Sequence, residues 1–369
     1  MDPFEKRPIG STTLLAPRLG FGAGTLGDPF DVIPEPQADL TLEAAYAAGI
    51  DYFDTAPWYG NGKSEQRVGR VLQNKPRSEF KLSTKIGRVY RRPDDVAGFT
   101  QARWKGGLPF DLRFDYSRDG VLRSYEQSLL RMGVNKVDAL VVHDLDLKHH
   151  KSEQGVAAHL KQLEEGGGYR KLQELKSNGD IDAVGVGINL IGMIPRFLDR
   201  FEIDFFLLAM PYSLMDQDGL DEELPLCAEK NVSVVLGAPF ASGILATGAG
   251  SATAVAATTT TARYGYQAPE ESVIRKVQAI RQVCERHQVP LGAAALQFPL
   301  GHPVVKMVIP GPNSPEQVRS NLAWMRMPIP DALWAELKQE RLLRADAPVP
   351  SLARTQAPRG SASPGSPAA

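Results

Sequence analysis

Four residues of this chain could carry proton transfer: Asp54, Tyr59, Lys85 and His143. Each lies at or just past the end of a short apolar run. Ile50–Phe53 leads into Asp54, with Tyr59 five residues on. Phe80–Thr84 leads into Lys85, and Val137–Val142 leads into His143. A phenol with an unperturbed pKa of about 10 exchanges protons poorly at neutral pH. A neighbouring cation lowers that value, and a second group can relay the proton. Lys85 offers the cation and Asp54 an ion-pair partner to hold it. His143 can orient a substrate oxygen or share the proton. Such a set protonates or deprotonates a carbonyl or alcohol oxygen. None of the four is a good covalent nucleophile.

Other chemistries use parts of the same set. Asp54 and His143 could serve as two ligands of a barrel metal centre, but such centres draw further His and carboxylate ligands from strand ends, and none is expected here. Glycoside hydrolysis needs two acids. Asp144 and Asp146 are candidates, yet a second strand offers no clear glutamate.

The elements that must position these residues repeat along the chain. Arg7–Leu19 reads as a hairpin around Gly10-Ser11. Short apolar strands follow at Leu19–Gly22, Ile50–Phe53, Phe80–Thr84, Val137–Val142, Ala183–Ile188, Asp204–Leu208, Ser233–Gly237 and Lys306–Ile309. Such runs suit parallel strands covered on both faces. Helical spacing appears at Gln37–Ala48, Ser64–Gln73, Gly120–Met132 and Tyr169–Ser177, with glycine stops at Gly49 and Gly133. Eight alternating units without a polar linker predict an α/β fold of the (β/α)8 TIM barrel type, with an N-terminal β-hairpin. An open doubly wound sheet would carry G-x-G-x-x-G before its first helix, which Gly20–Gly27 lacks. In a parallel barrel the strand ends converge on one mouth, where the active site is built.

Two segments break the rhythm. Gly87–Ser117 is a long loop after the third strand, rich in Arg, Pro, Gly and aromatics, and is expected to lie over the mouth and shape the pocket. Ala246–Ala262 is nearly all Ala, Thr, Gly and Ser and reads as flexible. One domain over residues 1–344 is expected, with a disordered tail over 345–369.

Composition narrows the class. The chain has 369 residues, 43 % hydrophobic and 23 % charged, with a formal net charge of −1. Neither nucleic acid nor an anionic membrane is a favoured partner at that charge. Two cysteines, Cys227 and Cys284, exclude a disulfide framework and a Cys-rich metal site. Met1–Ile9 has no apolar secretory core and no run reaches eighteen apolar residues, so a cytoplasmic enzyme or regulator is expected. Oligomeric state is not legible.

Phe53-Asp54-Thr55-Ala56-Pro57-Trp58-Tyr59-Gly60, with Ser64-Glu65 and Gly69, resembles the aldo-keto reductase signature. Ser83-Thr84-Lys85 and Val141-Val142-His143-Asp144 match the family's other two catalytic positions. The likeness implies that Tyr59 is the general acid/base, that Lys85 and Asp54 tune it, and that His143 orients the substrate. It implies the same barrel, and a nicotinamide cofactor lying across its mouth. Longer strings, Gly168–Leu172, Gly237–Gly248 and Ala293–Pro299, resemble the D-threo-aldose 1-dehydrogenase branch, which includes L-fucose and galactose dehydrogenases and which pyridoxal 4-dehydrogenase is similar to. That implies oxidation of an aldose of the L-fucose, D-arabinose or L-galactose type to a lactone. The alternatives are pyridoxal, general aldehyde or ketone reduction, or a non-catalytic cofactor-sensing protein on the same barrel.

By the same resemblance the cofactor contacts fall on Gly24, Asn189, Ala238, Phe240, Ser242, Gly243, Leu245, Gly311, Ser314, Gln317 and Asn321. Trp58, Trp104 and Phe110, with the Gly87–Ser117 loop, are expected to line the substrate pocket. Members specific for NADP usually carry Lys and Arg where this chain has Gly311 and Gln317. Without that pair a 2′-phosphate is poorly held, which favours NAD over NADP. The family's sixth-strand Gln is Ala209 here, and its stacking aromatic falls near Gly237, which leaves Phe240 as the substitute.

Overall fold

The computed structural model describes residues 1–100, 103–247, 263–265 and 267–351. Residues 248–262 and 352–369, which hold most of the segment expected to be flexible and of the expected tail, lie outside the described residues. Residues 345–351 run along the barrel. Ala347 is fully buried, and Val349 backs directly onto Gly301.

The chain opens with an antiparallel hairpin, β1 (Arg7–Pro8) against β2 (Leu15–Ala16). The barrel strands follow: β3 (Phe21–Gly22), β4 (Tyr52–Asp54), β5 (Lys81–Ile86), then β8 (Ala139–His143), β9 (Ala183–Ile188), β10 (Phe205–Ala209), β11 (Ser233–Gly237) and β12 (Val305–Ile309). They pair in parallel in that order, and a parallel bridge from Leu19 to Val308 closes the ring.

Alternation along each strand decides which side chains enter the barrel. Tyr52, Val141, Ala139, Phe205, Leu207 and Val235 fill its interior together with Ile9 and Leu14 of the hairpin. Phe53, Leu82, Leu140 and Val142 point outward, into the layer shared with the helices. The hairpin seals the end where strands begin: Gly10 N–H donates to Ser233 Oγ at 2.8 Å. At the other end the same period places Asp54 two residues beyond Tyr52 and His143 two beyond Val141. Pairing sets Asp54 opposite Ser83, and Lys85 opposite Val141. The interior is thus apolar at the sealed end and ionisable at the open one.

Three helices matter for the site: α1 (Glu35–Ala47), α2 (Lys63–Leu72) and α3 (Arg118–Met132). Ser117 caps α3 by accepting from Gly120 N–H at 3.2 Å, and Gly133 ends it with φ +64°. α2 and α3 meet backbone to backbone. A Cβ on Gly69 would stand 2.2 Å from the Met132 carbonyl oxygen. Gly69→Ala is therefore expected to destabilise the fold by about 1–3 kcal/mol through overpacking, measured by urea denaturation. Unchanged stability would mean that the two helices part without cost.

The segment after β5 departs from the loop expected there. Residues 88–91 (β6, Arg88–Arg91) and 111–114 (β7, Asp111–Phe114) form an antiparallel ribbon. Four cross-strand pairs give it a rigid stem, and residues 92–100 and 103–110 belong to its outer part.

Candidate active site

The four ionisable groups converge at the mouth. Lys85 and Asp54 are almost completely buried, with Lys85 Nζ 2.6 Å from Asp54 Oδ2. The ammonium also donates to the Thr55 carbonyl at 2.8 Å, and Ser83 Oγ donates to Asp54 Oδ1 at 2.7 Å. An ammonium has three donors, and two are engaged in this way. Lys85 Nζ lies 4.8 Å from the centre of the Tyr59 ring. His143 packs edge-on against the same ring, centroids 5.9 Å apart at 88°.

Tyr59 is carried by the turn between β4 and α2, and the residues of the surrounding string each have a structural task. Ser64 Oγ donates to the Ala23 carbonyl at 2.7 Å and lies 2.9 Å from Thr55 Oγ1. Glu65, fully buried, accepts from Thr84 Oγ1 at 2.7 Å and from Arg131 Nε at 2.6 Å. Gly60, at φ +65°, presses on Gly27, where a Cβ would stand 2.7 Å from the Gly27 carbonyl oxygen. Gly24 lies against the phenol itself; its Cβ would be 3.6 Å from Tyr59 Cζ.

A single carboxylate ties this turn to its neighbours. Asp28 is fully buried with φ +60°. Its carboxylate accepts from Lys63 Nζ (2.8 Å), Arg67 Nη1 (2.7 Å) and Ile33 N–H (3.1 Å), and its carbonyl accepts from Lys105 N–H (3.0 Å). Next in the chain, Gly106 has no room for a side chain: a Cβ would stand 2.1 Å from Asp28 Oδ2. The exit of β3, the start of α2 and the outer part of the ribbon are fastened together here. That fastening brings Trp104 over the site, edge-on to Tyr59 (6.1 Å) and to Trp58 (5.6 Å).

Of the three expected pocket aromatics, Trp58 and Trp104 reach the mouth. Phe110 faces away: its ring meets Tyr90 and is 41 % exposed. The ribbon turns its two sides in opposite directions, so a shared segment does not mean a shared pocket.

One participant was not anticipated. Arg88, at the start of β6 and almost buried, lies between Trp58 and Phe114 with its guanidinium 4.8 and 4.4 Å from the ring centres. Nη2 reaches Asp144 Oδ2 at 2.8 Å and Nη1 reaches His143 Nδ1 at 3.3 Å. The usable signal was position: Arg88 follows Lys85 by three residues, where β5 leaves the mouth. Tyr116 joins it, donating to the His143 carbonyl at 2.7 Å.

These charges set the protonation of the site. Burial drives the His143 imidazole well below its usual range; Asp144 opposes this, while Arg88, Lys85 and His149 add to it. Burial works against the Asp144 carboxylate, but His143, Arg88 and His149 outweigh it and hold the carboxyl below the ordinary range. Asp144, Asp146 and His149 bring ligand-type atoms within 4.8 Å of one another. His149 lies between the two carboxylates (2.8 and 3.4 Å), and Arg88 covers Asp144.

The expected cofactor residues occupy the same face. Asn189 donates to Asp144 Oδ1 at 3.2 Å. Asp144, Met210 and Ala238, each directly after a strand end, all have positive φ (56°, 87° and 52°). Ala241 and Ser242 (47° and 65°) continue the pattern after β11, and Leu245 is buried below them. Left-handed backbone outside glycine concentrates where a ligand is clamped. Among the described residues, a Cβ on Gly243 would meet nothing within 4 Å. Phe240 packs edge-on to Trp324 (5.7 Å) rather than at the phenol. Ser314 caps the helix Pro315–Arg326, and Gln317 accepts from Asn313 N–H at 2.9 Å. Asn321 is buried in that helix, and Gly311 sits against Thr25. Left-handed backbone after β11 and a helix N-terminus capped by Ser314 are features that suit an extended dinucleotide.

Among the described residues no helix is long and apolar enough to cross a membrane. The sequence model of the Aldo/keto reductase family matches residues 18–341. The chain is 37 % identical to pyridoxal 4-dehydrogenase of Microbacterium luteolum, covering 92 % of this chain and 98 % of that one. It is 35 % identical to D-threo-aldose 1-dehydrogenase of a Pseudomonas species, covering 89 % and 95 %. The solved structure of an aldo-keto reductase from Bacillus halodurans superposes with a TM-score of 0.68 over 93 % of this chain and 97 % of that one, at 24 % identity.

Proposed function

This chain belongs to the aldo/keto reductase family and is an oxidoreductase using a nicotinamide cofactor, and from that premise we propose that it oxidises the anomeric carbon of an aldose, held as a cyclic hemiacetal, to a lactone. The observation that carries this reading is the meeting of Asp54, Lys85, Tyr59 and His143 under Trp58 and Trp104. In this reading the phenolic oxygen of Tyr59 takes the proton of the anomeric hydroxyl. Lys85, fixed by Asp54 and the Thr55 carbonyl, supplies the positive charge that a phenolate needs. His143 steadies the reacting oxygen. The nicotinamide supplies the acceptor for the hydride leaving C1, so carbon loses two electrons and gains a double bond to oxygen. Ala238, Ser242, Gly243 and the Ser314 cap would hold the dinucleotide, while the indoles keep water from the reacting carbon.

NAD is the proposed acceptor. Arg319, two residues beyond Gln317, is the nearest cation in sequence to the positions that would meet a 2′-phosphate, and it is paired with Glu316 at 2.5 Å. The KM for NADP is expected to exceed that for NAD by about 10- to 100-fold, the value of a missing charged hydrogen bond.

Pyridoxal is the second reading, favoured by the 37 % identical relative named for it. Its cyclic hemiacetal presents the same reacting group beside a flat ring. A spectrophotometric panel of L-fucose, D-arabinose, L-galactose, D-galactose and pyridoxal, each with NAD and with NADP, tests both. Reduction of NAD by an aldose supports the first reading and reduction by pyridoxal alone the second. No turnover of any hemiacetal would refute both and favour a cofactor-sensing role.

A further inference from the structure

We infer that Arg88 is a positioning residue for His143: it donates to Nδ1 and pairs with Asp144, which fixes the imidazole as the neutral tautomer with its proton on Nε2. A guanidinium carries donors only. The 3.3 Å contact from Arg88 Nη1 therefore needs a lone pair on His143 Nδ1, and the ring proton must sit on the other nitrogen. That leaves Nε2–H as the donor to a substrate oxygen.

Asp144 is the group that would otherwise upset this. Its Oδ1 stands 3.5 Å from His143 Nε2, close enough to stabilise an imidazolium by charge although too far for a good hydrogen bond. Arg88 Nη2 takes up the carboxylate charge at 2.8 Å, and Asn189 Nδ2 occupies Oδ1 at 3.2 Å. The other groups facing the ring are Tyr59 from the β4–α2 turn, Lys85 from β5 and His149 from the helix Leu147–His150. Lys85 and His149 oppose a second positive charge there, and Tyr116 holds the backbone by its bond to the His143 carbonyl. Gly187, across the strand pair from His143, leaves space for the ring: a Cβ would lie 3.5 Å from His143 Cδ2. A planar fork aims two separate nitrogens, one at Nδ1 and one at the carboxylate, whereas a lysine has a single nitrogen on a shorter side chain without that fixed fork. The guanidinium lies over the rings of Trp58 and Phe114, which restrict its movement.

The inference concerns the same site as the proposed function, and its kinetic consequence rests on that function. The tautomer does not, so it is read directly. In full-length protein labelled with ¹⁵N-histidine, long-range ¹H–¹⁵N correlation reports both nitrogens of each of the six imidazoles, and His143→Gln assigns the signal. Wild-type His143 is expected to stay neutral with Nε2 protonated between about pH 5 and 8, the range in which an ordinary histidine titrates. In Arg88→Met, Asp144 loses its cation and His143 should titrate within that window. Adding Asp144→Asn should restore a neutral ring. Arg88→Lys keeps the charge on Asp144 but leaves Nδ1 without its donor, so the fixed tautomer should be lost while the ring stays neutral; this variant carries the test if the methionine protein does not fold. With the hemiacetal that the panel identifies, Arg88→Met should lower kcat about 10- to 100-fold and leave the KM for NAD unchanged, with a new ionisation in the pH profile. A wild-type His143 that titrates normally, a proton on Nδ1, or an Arg88→Met spectrum identical to wild type would overturn the inference. Absence of sugar oxidation with the expected spectra would instead refute the proposed function alone.

Discussion

Replacing Tyr59 by phenylalanine is expected to lower kcat by roughly 10²- to 10⁴-fold, the usual value of a positioned proton carrier. The substitution removes one oxygen and keeps the ring. The ammonium of Lys85 still lies against its face, and Trp104, His143 and Gly24 still pack around it. Cofactor binding, followed by quenching of protein fluorescence on titration with NADH, should therefore be nearly unchanged. Wild-type turnover in the Tyr59→Phe protein would show that another group carries the proton.

Lys85→Met should be more damaging to the fold than to any single contact. It leaves Asp54 almost completely buried without its cation, the Ser83 hydroxyl still donating to it, and stability should fall by about 3–5 kcal/mol, the cost of an uncompensated buried charge. The double variant Asp54→Leu/Lys85→Met removes both charges and should recover most of that loss, because a buried ion pair contributes little net stability against apolar residues of similar size. Recovery will be incomplete, since the Ser83 hydroxyl and the Thr55 carbonyl lose their partners. Neither protein should turn over. Urea denaturation of the wild type, both single variants and the double variant closes the cycle. Additive losses would mean that the pair does not act as a unit.

The residues that were legible in advance are those governed by strand alternation and strand ends. Asp54 and His143 end their strands and Lys85 lies one residue from the end of β5, and period-2 alternation alone places Asp54 and His143 inside the ring. The ribbon was harder. β6 and β7 are four residues each, and the residues joining them carry no pairing signal, so composition suggested only a loop. Phe110 was assigned by residue type, yet which side of a ribbon faces the pocket depends on register. Arg88 was hidden for a related reason: an arginine in a loop-like, cation-rich segment reads as solvated, and its burial depends on Trp58, Phe114 and Asp144, which are far from it in sequence.

The fastening at Asp28 bears on how new substrate preferences could arise on this scaffold. The part of the ribbon that brings Trp104 to the mouth ends in Lys105-Gly106, and both depend on Asp28. Asp28 in turn is neutralised by Lys63 and Arg67, on the helix that follows Tyr59. A graft of residues 87–117 into a related barrel lacking that acid would arrive without its latch. The unit of exchange is therefore larger than the visible insertion: residues 28, 63, 67 and 87–117 have to be inherited together, and a library that varies the ribbon while holding those three fixed should keep more of its members folded.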